Sequence, residues 1–261
     1  MSTPHVLFEI DGAIAFLTIN RPDARNAMTW EMYGALVNAC ARVDSTESVR
    51  VFVVRSAGDK AFIAGTDISH FTSFETPDAS LEYERYLDGV IDRLERVRVP
   101  TIAQVQGVAA GGGCAIALAC DMRVCAPEAR FGVPVARTLG NCLSAANYAR
   151  LVDLIGPART KDILFTGRLI DADEARALGL VTRLVAAAEL DATVRSLAAA
   201  IASNAPLTIR ATKEAVRRIQ EHRRLDSHLA DDLVTMCYTS ADFKEGVAAF
   251  LAKRAPRFTG A

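Results

Sequence analysis

Residues 101–120 read TIAQVQGVAAGGGCAIALAC, and this stretch decides the fold. Thr101 to Gln106 is a short apolar run that ends before a glycine, as a buried strand does. Gly112 to Cys120 is small and apolar throughout, which suits a helix buried on all sides. Between them stand Gly107 and the triplet Gly111, Gly112 and Gly113. Strand therefore passes into helix through a loop where other backbone can approach closely.

The same rhythm extends outward from this stretch. Val49 to Arg55 is β-branched and reads as a buried strand, and Arg123 to Cys125 reads as another. Leu81 to Val97 is amphipathic through Leu87, Val90, Ile91, Leu94 and Val97. Strands alternating with helices predict an α/β layer structure with parallel pairing. Towards the N-terminus, Val6 to Ile10 and Ala13 to Ile19 flank Asp11-Gly12, a turn signal that predicts a β-hairpin. Arg21-Pro22 stops the second strand, and Trp30 to Val43 has helical spacing with Thr29 as its N-cap. After Val185 the strand signals cease. Residues 188–203, 206–222, 225–238 and 241–252 read as four helices. The chain is thus expected to comprise a core, 1–190, and a helical C-terminal region, 191–261.

Of the 261 residues, 51% are hydrophobic and 23% charged, a balance that suits a packed globular protein. The net charge of -1 argues against nucleic acid or an anionic membrane as partner. The longest apolar stretch, Gly107 to Cys120, is too short to span a bilayer. The first residues lack a basic segment followed by an apolar one, so cytoplasm is the expected location. Cys40, Cys114, Cys120, Cys125, Cys142 and Cys237 show no CxxC spacing and read as reduced thiols. With four scattered histidines, no metal centre is expected.

At the start of a helix the glycine triplet leaves N–H groups unpaired at the positive end of the dipole. Such a site suits a carbonyl oxygen that gains negative charge. A phosphate cradle is the rival reading, but the lysine-bearing loop and the GxGxxG pattern it would need are missing. Close helix–strand packing is a third explanation. A second segment, KAFIAGTDIS at 60–69, forms another glycine-bearing loop after a strand, with Asp67 placed to cap a following helix. Two such loops can each aim one N–H at the same oxygen.

Taken together, these segments resemble the crotonase family, also called the enoyl-CoA hydratase/isomerase family. The resemblance rests on Arg21-Pro22 with NAM at 26–28, FIAGTDI at 62–68 and GVAAGGGC at 107–114. It continues through Asp121, Phe131-Gly132, Gly140, FTGR at 165–168, residues 172–181 and FLAKR at 250–254. It implies a spiral of ββα units, a helical C-terminal trimerisation region, and a homotrimer or homohexamer. It also implies an acyl-CoA thioester substrate whose carbonyl accepts from the N–H groups of Thr66 and Gly112. No cofactor beyond coenzyme A, carried as part of the substrate, is implied.

Hydration of an enoyl thioester needs one group to activate water and another to protonate the α-carbon. In the hydratases that this chain resembles, two glutamates serve, one after the glycine triplet and its cysteine, the other ending an F-G-x-P-E motif. Here Ala115 and Val135 occupy those positions, and neither transfers a proton. Candidate replacements lie in VARTLGNCLS, 135–144. Arg137 can fork onto a substrate carboxylate, although a surface or intersubunit salt bridge is the plainer reading. Thr138 is among these candidates, and Asn141 and Ser144 can position water or the thioester, or serve turn and cap chemistry. Cys142 has no histidine near it in sequence to make it a nucleophile. Asp67 is the one carboxylate beside the proposed hole, with capping as its plainer role, and His70 is a further acid or base candidate.

For the coenzyme, the resemblance places Arg25 and Ala27 in a CoA-contacting loop, with Ala64 and Ile68 flanking the adenine and pantetheine. Phe250 and Lys253 match positions that approach the nucleotide from the C-terminal helix. Read without it, Phe250 is core and Lys253 a solvated helix face. The resulting expectation is an acyl-CoA lyase or isomerase that stabilises a thioester enolate without two glutamates. A non-catalytic CoA-thioester binder or scaffold is one alternative, and a hydratase with replaced catalytic groups is another.

Overall fold

The computed structural model describes residues 4–68, 77–224 and 226–260. Strands β1 (Val6–Asp11) and β2 (Ile14–Ile19) form the antiparallel hairpin, turning at Gly12 with φ 59°. Helix α1 (Trp30–Ser45) follows, and its Thr29 cap accepts from the Met32 N–H. Three strand–strand–helix turns come next. They are β3 (Val51–Ser56), β4 (Ala61–Ile63) and α2 (Pro77–Glu95), then β5 (Thr101–Val105), β6 (Val108–Ala110) and α3 (Gly112–Ala119). The third is β7 (Met122–Cys125) and β8 (Arg130–Gly132), leading through the single turn α4 (Val135–Thr138) to α5 (Ala145–Thr166), which breaks at Gly156. Strands β9 (Ile170–Asp171) and β10 (Arg183–Leu184) flank α6 (Ala172–Ala177).

Each turn lays its first strand in one sheet and its second in another. The larger sheet runs β1-β2-β3-β5-β7-β10 and the smaller β4-β6-β8-β9. All neighbours within them are parallel except β1 with β2 and β8 with β9. This is the expected ββα spiral.

The unbroken apolar run 51–54 has a simple cause: β3 is covered on both faces. Phe52 and Val54 point into the main core against α1, α2 and α3. Val51 and Val53 point the other way, with Phe16, Ile102 and Val124, onto helix α7 (Leu190–Ala202) through its Leu190, Val194 and Ala198. A parallel sheet sandwiched by helices reads as continuous rather than alternating hydrophobicity.

Beyond α7 come α8 (Pro206–Glu221), α9 (Asp231–Tyr238) and α10 (Ala241–Leu251). The C-terminal region is therefore helical, as expected, but it shares both cores with the first 190 residues. Val234, Tyr238, Phe243 and Val247 are buried in the main core. Helix α9 packs on α2, and α10 packs on α4. Of the helices α7 to α10, α8 alone has no buried residue among those described, and it exposes Leu207, Val216 and Ile219. No helix among the described residues is long and apolar enough to cross a membrane.

Candidate active site

A cavity of about 570 Å³ opens where the glycine loops meet α2, the 133–143 segment and the end of α10. The loops touch directly. A methyl group placed on Gly111 would lie 3.8 Å from the Gly65 Cα, and one on Gly113 would overlap the Ile63 carbonyl oxygen. Gly65 (φ 122°) and Gly111 (φ 53°) hold conformations that side chains disfavour. The Met28 N–H donates to the Gly65 carbonyl and the Asp67 N–H to the Met28 carbonyl, both at 2.9 Å. These bonds pin 65–67 while leaving the Thr66 N–H between them unspent. The Gly112 N–H opens α3, where no intrahelical acceptor exists. Among the described residues neither N–H has an acceptor.

The loop carrying Met28 is itself held by Asn26, which is 1% exposed. Its Nδ2 donates to the carbonyls of Ala57 (2.9 Å) and Ala61 (2.8 Å), and its Oδ1 accepts from the Arg21 N–H (2.8 Å). That explains an asparagine within the Arg21–Met28 motif.

Hydroxyl groups surround the corner where the two N–H groups lie. Tyr33 Oη is 2.8 Å from Thr66 Oγ1, and the Tyr83 hydroxyl donates to the same oxygen at 3.1 Å. Burial raises the pKa of both phenols, so they stay neutral. Trp30 packs edge-on against Tyr83 and Tyr86, at centroid distances of 5.6 and 5.0 Å.

One wall residue escapes sequence reasoning altogether. Glu84, on α2, lines the cavity and is 7% exposed. Its Oε1 accepts from the hydroxyl of Tyr238 on α9. Asn141 Nδ2 donates to Tyr238 Oη at 3.0 Å, completing a chain from Asn141 to Glu84. Burial pushes the Glu84 carboxyl up to about 8, Tyr238 pulls the other way, and the nearby Asp88 adds to the rise. The sequence signal was only a glutamate on an amphipathic helix, which ordinarily marks the solvated face. Nothing local shows that α9, far along the chain, covers it.

The expected site residues divide into three groups. Thr66, Gly112, Asp67, Asn141, Arg25, Ala27, Ala64, Ile68 and Phe250 line the cavity, as do Ala115 and Val135. Asp67 Oδ2 forms an ion pair with Arg21 Nη1 at 2.7 Å. The Asn141 Oδ1 is buried with no partner among the described residues. Phe250 is half exposed at the mouth, not core. Arg137 and Lys253 stand outside the wall, both exposed, and the Arg137 stem packs beside Gly167. Ser144 accepts from the Asn147 N–H as the cap of α5 and donates to Asp88 at 2.6 Å. Cys142 lines the cavity, but its contact with Cys237 and burial push its pKa up, disfavouring thiolate. His70, and the helix start that Asp67 was expected to cap, lie outside the described residues. No group of three metal-ligating side chains occurs among the described residues.

A two-sheet spiral of ββα turns, with glycine loops meeting over a cavity, defines a crotonase-type α/β fold. The sequence profile of the enoyl-CoA hydratase/isomerase family matches residues 9–261. The short-chain-enoyl-CoA hydratase of Clostridium acetobutylicum is 34% identical over 256 residues, covering 97% of each chain. The solved enoyl-CoA hydratase/carnithine racemase from Magnetospirillum magneticum superposes with TM-score 0.81 at 34% identity, covering 100% of this chain and 97% of that one. A methylmalonyl-CoA decarboxylase complexed with 2S-carboxypropyl-CoA superposes with TM-score 0.90 at 27% identity, with both chains fully covered. This chain belongs to the enoyl-CoA hydratase/isomerase family.

Proposed function

We propose that this protein is an acyl-CoA-processing enzyme that stabilises a thioester enolate without the two-glutamate hydration mechanism. The observation that carries the reading is the pair of unspent N–H groups, Thr66 and Gly112, on loops held in contact over one cavity. A thioester carbonyl seated there gains negative charge as the enolate forms, and two fixed donors stabilise that charge more than the ground state. The corner is ready-made, so no reorganisation is needed as charge develops.

Leu87, Ile91, Leu139 and Leu143 give the rest of the cavity an apolar lining suited to the acyl chain. Ala27, Ala64 and Ile68 offer apolar surface to the pantetheine and adenine, with Phe250 at the mouth. Arg25, in the wall, and Lys253, beyond it, supply cations for the phosphates. The substrate brings the coenzyme, and no other cofactor enters the reading. Ala115 and Val135 line the cavity where proton carriers would serve a hydratase. A decarboxylation or a hydratase-type step using other groups fits these walls. The structural likeness to the methylmalonyl-CoA decarboxylase supports the former, and the hydratase relative the latter. The exposed apolar face of α8 supports assembly as a homotrimer or homohexamer, readable by sedimentation velocity.

The deciding experiment is mass-spectrometric turnover of enoyl-, 3-hydroxyacyl- and malonyl-type CoA thioesters. Loss of carbon dioxide or water from one of them is the expected result. Tight binding with no turnover would replace this reading with that of a CoA-thioester binder, and rapid crotonyl-CoA hydration would show that two glutamates are unnecessary for that reaction here.

A further inference from the structure

Glu84 is a buried carboxyl that no cation pairs among the described residues, set in a cavity wall that Leu87, Ile91, Leu139 and Leu143 also line. An apolar side chain would fill that position without desolvating an acid. The structure instead invests two further side chains in holding it. Tyr238 reaches in from α9 to donate to Oε1, and Asn141 steadies the Tyr238 oxygen from the segment before α5. Its neighbour in sequence, Tyr83, is bonded to Thr66 Oγ1. The turn of α2 that bears Glu84 is thereby fixed to the loop that bears the proposed enolate site.

We propose that Glu84 is the proton-transferring group of this site, exchanging a proton with the α-carbon of the enolate held at Thr66 and Gly112. The inference rests on the enolate reading above. In the protonating direction the enolate π pair forms the new C–H bond while the Glu84 O–H bond breaks. The thioester carbonyl is restored and leaves the Thr66 and Gly112 donors less strongly engaged. The resulting carboxylate accepts from Tyr238 and regains its proton from water entering at the mouth. In the reverse direction the carboxylate removes the α-proton. Tyr238 and Asn141 are positioning residues: they hold the carboxyl and do not meet the substrate carbon.

The electrostatics are consistent with this geometry. The groups facing Glu84 are Tyr33 from α1, Asp88 and Tyr83 from α2, Cys142 and Tyr148 around the start of α5, and Tyr238 from α9. None is cationic, so burial prevails and the acid is held near the neutral range, where donor and acceptor forms are both accessible.

The test is deuterium wash-in at the α-carbon of butyryl-CoA in heavy water near pH 8, beside calorimetric binding of the same thioester. The wild type should exchange, Glu84→Gln should fall by about 100-fold or more, and its Kd should stay within about threefold. Tyr238→Phe should keep measurable exchange while its pH profile moves to higher pH, because the lost bond favoured the carboxylate; a merely structural role would leave that midpoint in place. Glu84→Asp serves as a second variant if the glutamine form does not fold. It should retain part of the exchange. Wild-type rates in a folded Glu84→Gln protein would overturn the assignment to Glu84 while leaving the enolate reading intact. Binding of butyryl-CoA by the wild type with no exchange would overturn both.

Discussion

Tyr33 Oη and Thr66 Oγ1 lie 2.8 Å apart, and a methyl group on Gly112 would come within 2.6 Å of the same tyrosine oxygen. The phenol thus occupies the space that glycine leaves, and ties the Thr66 loop to α1 beside α3. Tyr33→Phe should cost about 1 kcal/mol of stability, since Thr66 keeps its bond from Tyr83. Urea unfolding of the two proteins measures it; a loss above about 3 kcal/mol would mean the phenol holds more than this one bond.

Gly113→Ala should be far more damaging. The added carbon would lie 2.6 Å from Ile63 Cβ and overlap the Ile63 carbonyl, and backbone on β4 cannot yield cheaply. Overpacking of this kind costs about 1–3 kcal/mol or more. The expected outcome is a lowered Tm together with loss of thioester binding. Gly34, within α1, where an added methyl meets nothing within 4 Å, is the control, and Gly34→Ala should keep thioester binding while the Tm holds or rises slightly.

Asn26→Ala removes three hydrogen bonds and strands the carbonyl of Ala57, whereas that of Ala61 keeps its bond from the Ser56 hydroxyl. Asn26 also has φ 57°, which alanine tolerates poorly. A destabilisation of about 2–4 kcal/mol is expected from chemical denaturation. A change under about 1 kcal/mol would show that water replaces the amide.

Glu84 imposes a pH dependence whose sign follows from its burial. Its folded pKa, about 8, lies above the ordinary 4.5, so between these values the unfolded chain binds fewer protons than the folded one. Stability therefore falls as pH rises across that window and levels off above it, by a total on the order of a few kcal/mol. Glu95 works at the other end. Burial opposes its ionisation, yet its bonds to Arg224 and Arg150 win and lower it to about 2, so its contribution disappears as pH falls below the ordinary range. Thermal melts should peak near pH 5. The decline towards pH 8 should flatten in Glu84→Gln, and an equal decline in both proteins would place its origin elsewhere.

Ala115→Glu with Val135→Glu puts two carboxyls into the cavity wall at the positions where the resemblance places hydratase glutamates. The double variant should gain crotonyl-CoA hydration, read by loss of enoyl absorbance. A folded double variant with no gain would mean that these two side chains are not the main obstacle.

Much of this arrangement was legible in the chain. The hairpin about Gly12, the Thr29 cap and the strand-to-helix glycine loop that opens α3 obey local rules and appear where those rules place them. The smaller sheet was not, because β4, β6 and β8 are three residues each, too short for a periodic pattern. Helix α5 was missed as well, broken as it is by Gly156 and Pro157. The candidate site divides similarly: Thr66 and Gly112 announce themselves through flanking glycines, whereas Glu84 looks like any solvated helix residue until Tyr238 arrives from elsewhere. Phe250 was harder still, since a phenylalanine in an amphipathic helix reads as core, yet here it sits half exposed at the cavity mouth.

The wall of the cavity is finished by Phe250 and Leu251, and the grip on Glu84 by Tyr238, all within the final helices. Synthesis runs from the N-terminus, so the glycine loops emerge from the ribosome well before the segments that enclose them. A chain lacking those helices would carry the proposed thioester corner open to bulk water and Glu84 without its bond from Tyr238. The helices that close the proposed pocket are thus among the later ones to emerge, and a C-terminal deletion reaching α9 should abolish thioester turnover before it abolishes the α/β spiral.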